Sequence, residues 1–308
     1  MTTFITAAQL DRCHADRDDP AANEARWTSP EARVLVIDED CRVAVDGDGR
    51  LSGVPTQGER DDQRHFLLGL VDGRPWFTLR GSITEPSAPA GGDGGVVQLR
   101  SAELGPADRE LAWAGLATLT WHESMPACPR CHGSTRATSG GPARVCVLCG
   151  HVVFPRTDPA IITAVLDDDD RIVLARQGRW APGRVSVLAG FVEAGEAAEH
   201  AVAREVAEET GVQVQATRYV VSQPWPFPRS LMLAFVSRGT GPVRVDGEEL
   251  VEGAWYRRDE VRDLVARGEM TLPGPMSVAR LLIDSWLAGR LPSPESGVDL
   301  TSPASRQP

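Results

Sequence analysis

The chain has 308 residues, 42% hydrophobic and 24% charged, which is globular composition long enough for two domains and excludes a fibrous or wholly disordered protein. Its 43 acidic against 32 basic side chains leave a formal charge of −11, which argues against broad nonspecific binding to phosphate backbones but not against one polyphosphate held through metal ions. Every basic side chain is arginine, so a lysine nucleophile or Schiff base is excluded.

Residues 1–30 are polar, and only partial order is expected of them. Met1–Leu10 has no basic n-region and no apolar run, so no signal peptide is expected. No stretch approaches the roughly 18 consecutive apolar residues of a spanning helix, so no membrane partner is expected. The expected compartment is the cytoplasm, where thiols stay reduced and six cysteines point to metal rather than to disulfides.

Residues 31–125 read as a β-rich N-terminal domain that ends in a helix. Arg33-Val-Leu-Val-Ile-Asp38 predicts a strand and Asp46-Gly-Asp-Gly49 a turn. Phe66–Leu70 and Trp76–Leu79 predict a hairpin about Asp72-Gly73. Residues 82–95, rich in Ser, Pro, Gly and Ala, predict a flexible loop. Pro106 through His122 predicts a helix with proline in its first turn.

A cysteine module spans 126–152. Cys128-x2-Cys131 and Cys146-x2-Cys149 stand 14 residues apart, a spacing at which two knuckles supply four thiolates to one tetrahedral Zn²⁺ per chain. Four sulfur ligands leave no place for water, so the site is expected to be structural. Cys13 and Cys41 have no partner motif and are expected to be free thiols. The module carries only Arg130, Arg136 and Arg144 as cations, with no aromatic residues between them, which argues against nucleic-acid binding by this ribbon.

Residues 153–290 predict a third part, and 291–308 a disordered tail. Strands are expected at 160–166 and 171–175, around the acidic turn Asp167–Asp170, which reads as a solvated hairpin tip. A strand at 185–188, a helix at 197–210, strands at 212–222 and 230–237, and helices at 258–267 and 276–288 follow. The decisive stretch is Gly190-Phe-Val-Glu-Ala-Gly-Glu196, then seven residues, then Arg204-Glu205-Val-Ala-Glu208-Glu209-Thr-Gly211-Val212. Glu205, Glu208 and Glu209 stand at i, i+3 and i+4 and share one helical face. Carboxylates so crowded repel unless cations lie between them, and hard ions such as Mg²⁺ or Mn²⁺ prefer such oxygens. Arg204 can pair with Glu196 and hold the loop to the helix. Bound metals neutralise a diphosphate and acidify an attacking water. Glu209 is the expected base and a ligand, with Glu205 and Glu208 as further ligands.

The stretch matches the Nudix box, G-x5-E-x7-R-E-U-x-E-E-x-G-U with U a bulky aliphatic residue, at every defined position. Downstream stands Ser222-Gln-Pro-Trp-Pro-Phe-Pro-Arg-Ser230, where three prolines stiffen a loop that presents Trp225 and Phe227. Its Gln and Ser side chains can hydrogen-bond a ribose or an amide. Alone, the loop reads better as a simple proline-stiffened turn around a core tryptophan. Together, the cysteine module, the box and this loop resemble the NADH pyrophosphatase family of the Nudix superfamily, and the resemblance runs to about residue 290.

The resemblance implies an α+β fold, a Nudix α/β/α sandwich with a mixed sheet, preceded by a zinc ribbon and a β-rich N-terminal domain. It implies a homodimer that uses Mg²⁺ or Mn²⁺, splits NADH or NAD⁺ into nicotinamide mononucleotide and AMP, and removes NAD caps from RNA 5′ ends. By the same resemblance Gln223, Pro224, Trp225, Pro226, Phe227, Pro228, Arg229 and Ser230 line the dinucleotide. Phe191 and Phe154 stack on rings, Glu249 adds a metal ligand with Glu248 as its ambiguous neighbour, and Ala279 offers a backbone contact. Ordinary core packing is the competing account of the two phenylalanines, and stacking is the preferred one. The competing functions are hydrolysis of another nucleoside diphosphate derivative such as ADP-ribose, which the intact loop argues against, and a non-catalytic dinucleotide- or RNA-binding module, which the full set of box carboxylates argues against.

Overall fold

A computed structural model of the chain describes residues 7–83, 94–245 and 247–301, in two compact units. The first contains residues up to 157 together with 225–229. Its elements are β1 (Leu10–Asp11), α1 (Pro20–Trp27), β2 (Arg33–Ile37), β3 (Arg42–Val45), β4 (Val54–Pro55), β5 (Phe66–Val71), β6 (Arg74–Arg80), β7 (Gly95–Gln98) and α2 (Pro106–Ser124). A five-stranded sheet runs β1-β5-β6-β2-β4. The β5–β6 turn uses Asp72 and Gly73, both at positive φ, the backbone that a two-residue hairpin of matching twist requires. Leu111, Leu116 and Leu119 of α2 pack with Leu35, Ile37 and Phe66 on one face of the sheet. Trp27 of α1 packs with Val34, Leu67 and Phe77 on the other.

Helix α1 lies within the segment of which only partial order was expected. Its start is nonetheless written locally, with Asp19 accepting from the Ala21 amide and Pro20 in the first turn. The proposed flexible loop at 82–95 falls mostly on 84–93, outside the described residues, while Gly95–Gln98 is a strand paired with β3.

The cysteine module supplies a small sheet of β8 (Thr135–Thr138), β9 (Ala143–Cys146) and β10 (Val152–Val153). His122, near the end of α2, ties this sheet to the helix. Its Nε2 donates to Gly141 O at 2.8 Å, and its Nδ1 accepts from Arg144 Nη1 at 2.8 Å. The ring stacks on Phe66 at 3.7 Å.

The second unit contains β11 (Asp158–Leu166), β12 (Ile172–Gln177), β13 (Leu188–Phe191), α3 (Ala198–Thr210), β14 (Gln213–Trp225, its last residue grouped with the first unit), β15 (Ser230–Thr240), β16 (Leu250–Tyr256), α4 (Arg258–Ala266), α5 (Val278–Leu287) and β17 (Val298–Asp299). The sheet order is β16-β12-β11-β15-β14-β17, with β13 also on β11. β11 and β15 are parallel while β12 and β13 lie antiparallel to β11, so the sheet is mixed, as expected. Side-chain alternation along β11 builds both cores. Ile162, Ala164 and Leu166 pack with Val261, Leu282, Ile283 and Trp286 of α4 and α5. Ile161 and Val165 pack with Ala201, Val202 and Val206 of α3. The result is helix, sheet, helix. At its centre Ser237 Oγ lies 2.8 Å from both Thr163 Oγ1 and Thr217 Oγ1, which satisfies three buried hydroxyls.

Two expectations are corrected. The strand foreseen at 185–188 lies at Leu188–Phe191, where the register with β11 fixes it. The expected disorder from 291 gives way, as far as residue 301, to a turn at Pro294–Ser296 and to β17, which pairs with β14. Residues 302–308 lie outside the described part. Among the described residues no helix is long and apolar enough to cross a membrane.

Burial holds the His122 imidazole down to about 4, with the Arg144 charge acting the same way against the opposing bond to Gly141. A base whose pKa is lower folded than unfolded makes the unfolded chain take up its proton first. The contribution is therefore complete above about pH 6.5, is lost as the pH falls towards 4, and is flat below. The expected loss is on the order of 3 kcal/mol. Urea unfolding of wild type and His122→Gln across that window checks it: the gap between them should shrink on acidification, and parallel curves would show that this ring does not titrate with folding.

Candidate active site and cysteine centre

Helix α3 carries the box. The loop before it bends through Gly195 at φ 85°, and Gly211 caps its C-terminus at φ 70°, a left-handed conformation that favours glycine. Arg204 joins loop and helix. Its Nε and Nη2 make two parallel bonds, both 2.8 Å, to the two oxygens of Glu196. Nη2 also donates to Phe191 O at 2.9 Å, while Nη1 donates to Glu205 at 2.9 Å and Glu208 at 3.1 Å. Glu196 in turn accepts from the Glu193 amide at 3.0 Å. The Arg204 guanidinium, then the Glu193 amide, hold the Glu196 carboxyl down at about 2. The expected Arg204–Glu196 pair is therefore present, within a larger network.

The three glutamates differ in environment. Glu209 is buried at 5% exposure, whereas the Glu208 side chain is 60% exposed. Glu205 lies over Gly190 of β13, where an added Cβ would stand 1.9 Å from its carboxyl carbon. Burial raises the Glu205 pKa; Arg204 opposes this, and the charges of Glu208 and Glu249 add to it. Glu249 is exposed on the bend just before β16, near enough for its charge to act on Glu205, and Glu248 beside it is exposed as well. Arg204 Nη1 stands between Glu205 and Glu208. This set of carboxylate oxygens, one seated in a cradle that only glycine leaves open, fits a hard divalent cation.

The cysteine quartet is more tightly gathered. Cys128, Cys131, Cys146 and Cys149 bring their sulfurs within 4.8 Å of one another, the only group of three or more such ligands to do so among the described residues. Sulfur pairs at 3.3, 3.4 and 3.8 Å are close to the edge of a tetrahedron with metal–sulfur bonds of about 2.3 Å. Amides of Arg130 and Cys149 donate to the sulfurs of Cys128 and Cys146 at 3.4 and 3.5 Å. The Cys149 amide is the main cause that lowers Cys146 to about 6, towards the thiolate that a metal requires. Cys13 and Cys41 are free, as expected.

The proline-rich stretch divides in its surroundings. Gln223 is 1% exposed; its amide donates to Met276 O at 2.7 Å and accepts from the Val278 amide at 2.8 Å. The expectation that this side chain turns to a ribose or amide does not match the placement, because its polar ends set the start of α5. Pro226 is buried, Pro224 and Pro228 are exposed, and Arg229 leads into Ser230, which opens β15 opposite Asp158. Trp225 and Phe227 meet edge to face at 5.0 Å, with Arg100 lying 5.8 and 5.7 Å from their ring centres and Trp113 edge-on to Trp225. Nothing in the sequence marked Arg100, which lies far from the loop along the chain. Phe191 and Phe154 are 59% and 64% exposed, so core packing within the chain does not explain them. Ala279 is buried in the first turn of α5.

Residues 156–273 match the NUDIX domain. Over 303 residues the chain is 38% identical to the NAD-capped RNA hydrolase NudC of Mycobacterium bovis, covering 92% of this chain and 95% of that protein. The protein of the same name from Mycobacterium tuberculosis aligns with the same identity and coverage. The human NAD-capped RNA hydrolase NUDT12 is 35% identical over 205 residues, which cover 62% of this chain and 43% of that one.

Lysine cannot reproduce the paired bonds of the Arg204 guanidinium. Arg204→Lys is expected to free the loop at 191–196 and cost about 1–2 kcal/mol. Hydrogen exchange at the Glu193 amide should accelerate, and unchanged protection would show that Arg204 does not hold the loop.

Proposed function

The chain belongs to the NudC family of NUDIX enzymes, and on that footing we propose that it hydrolyses the diphosphate bond of NADH and NAD⁺ to nicotinamide mononucleotide and AMP, and removes NAD caps from RNA 5′ ends. The observation that carries this reading is the complete box, with Glu205 and Glu208 held by the Arg204 guanidinium that also clamps the preceding loop. Glu205, Glu208, Glu209 and Glu249 would hold Mg²⁺ or Mn²⁺, which would supply charge neutralisation at the diphosphate and a lowered pKa for a water. The Glu209 carboxylate takes the proton of the attacking water, and its burial limits competition from bulk solvent. Arg204 orients the carboxylates and moves no proton. Phe191 and Phe154 offer exposed faces for stacking, and Trp225 and Phe227 offer aromatic edges stiffened by Pro224, Pro226 and Pro228. Arg229 and Ser230 complete that loop, Gln223 positions α5, and the backbone at Ala279 meets the substrate.

Zn²⁺, one per chain, is the ion we assign to the four cysteines, in a role confined to holding the module's fold. The homodimer and the cytoplasm complete the proposal, on the family's pattern.

Purified protein with NADH and Mg²⁺ or Mn²⁺ should release AMP and reduced nicotinamide mononucleotide in equal amounts, followed by chromatography. Cleavage of ADP-ribose in preference to NADH would redirect the assignment, and binding without product would make the chain a sensor. Glu209→Gln should lower turnover about 10²-fold or more, and near wild-type rates in that variant would move the base elsewhere.

Metal analysis should find one zinc per chain. Cys128→Ser should lose it together with the cooperative unfolding transition of the module, and a variant that stays metal-free yet equally stable would count against a structural ion.

A further inference from the structure

The chain's acidity is uneven, and one segment of the second unit runs against it. Ile172 to Val192 holds three arginines and no aspartate or glutamate over 21 residues. Its middle, residues 178–184, is a short loop built as a platform. Arg176 anchors it, donating to Glu252 at 2.6 Å and to Trp180 O at 3.0 Å. The Trp180 amide donates to Gln177 O at 2.9 Å, and at the far end Gly183 O accepts from the Thr271 amide at 2.8 Å. The other two guanidiniums are not used for the fold. Arg179 and Arg184 are exposed; Arg179 Nε bonds only the neutral Gln177 side chain at 2.9 Å, and Arg184 lies 5.4 Å from the centre of the half-buried Trp180 ring. Neither enters an ion pair among the described residues.

The loop starts next to the bend that carries Glu249. Gln177 pairs with Leu250, the residue after Glu249, whose charge acts on Glu205. Arg184 is seven residues before exposed Phe191, so even a fully extended chain separates them by no more than about 25 Å. A dinucleotide the size of NADH is compact and its charge is met at the carboxylate cation. A capped RNA brings further phosphates and unstacked bases, and two guanidiniums outside any ion pair, one of them over an indole, are the chemistry that holds a single strand: charge for the backbone, a ring for a base. We propose that residues 178–184 form the RNA track of the enzyme, with Arg179 and Arg184 on phosphates of the strand that follows the cap and Trp180 beneath a base. This rests on the capped-RNA activity proposed above and assigns it a surface separate from the catalytic carboxylates.

The test compares two substrates on the full chain loaded with zinc and Mg²⁺: NADH, and a short single-stranded RNA bearing an NAD cap. Arg179→Ala/Arg184→Ala should leave kcat/KM for NADH within about twofold, raise KM for the capped RNA about tenfold, and flatten the log–log salt dependence of RNA cleavage by about 1.4, two contacts at about 0.7 each. Arg179→Lys/Arg184→Lys should recover most of the RNA affinity, since phosphate accepts a point charge. Arg179→Glu, a solvent-facing change, should repeat the selective RNA defect if the double variant is unstable. A double variant that cleaves both substrates as wild type does, or loses both alike, overturns the track and leaves the capped-RNA reading standing. Wild-type protein that cleaves NADH and leaves the capped RNA intact overturns the reading and the track together.

Discussion

One guanidinium organises the site. Arg204 stands in a cluster with Glu196, Glu205 and Glu208, and it meets all three at 2.8 to 3.1 Å. Without it the loop before α3 would face the helix across like charges and would have no reason to fold back. With it, the loop is fixed by two parallel bonds to Glu196 and one to the backbone at Phe191, and the carboxylates are oriented before any substrate arrives. Such preorganisation is what hydrolysis of a diphosphate asks of a protein, since the chemistry consists largely of placing charge.

The rest of the second unit serves that placement. The mixed sheet gives α3 a flat apolar floor, and α4 and α5 close the opposite face. The buried Gln223 amide then ties the strand that leads into the proline-rich stretch to the first turn of α5. The motif is divided in its surroundings: its first amide side chain serves the scaffold, while its aromatic rings pack with each other and with Arg100.

Much of this was legible along the chain because it is local. The box fixes a glycine-punctuated loop and a helix by spacing alone, and paired CxxC knuckles imply a four-sulfur cluster in the same way. Turn chemistry was also readable, and one pattern recurs. At Asp46–Arg50 and Asp167–Arg171 an aspartate carboxylate accepts from the amides two and four residues on, while the fourth residue, Gly49 or Asp170, takes a left-handed φ. The same bond from the amide four residues on closes Asp38–Arg42, with Cys41 in the left-handed place; a cysteine there gives no hint of a turn, and its strand partner was not foreseen. What could not be read was non-local. β16 and β17 exist because they complete sheet edges against β12 and β14. The inward turn of Gln223 depends on a helix more than fifty residues downstream. Arg100 meets the aromatic pair only through tertiary packing.

The seat of Glu205 upon Gly190 has an evolutionary consequence. What a Cβ at 190 would meet is the carboxyl end of the Glu205 side chain, so an enlargement there displaces the acid itself. A lineage still using the acid is expected to keep glycine there, because a side chain would move the carboxylate from its place. A descendant that had abandoned cleavage would be released from that constraint, and a side chain at this position would be a mark of retirement, readable from the gene before any assay.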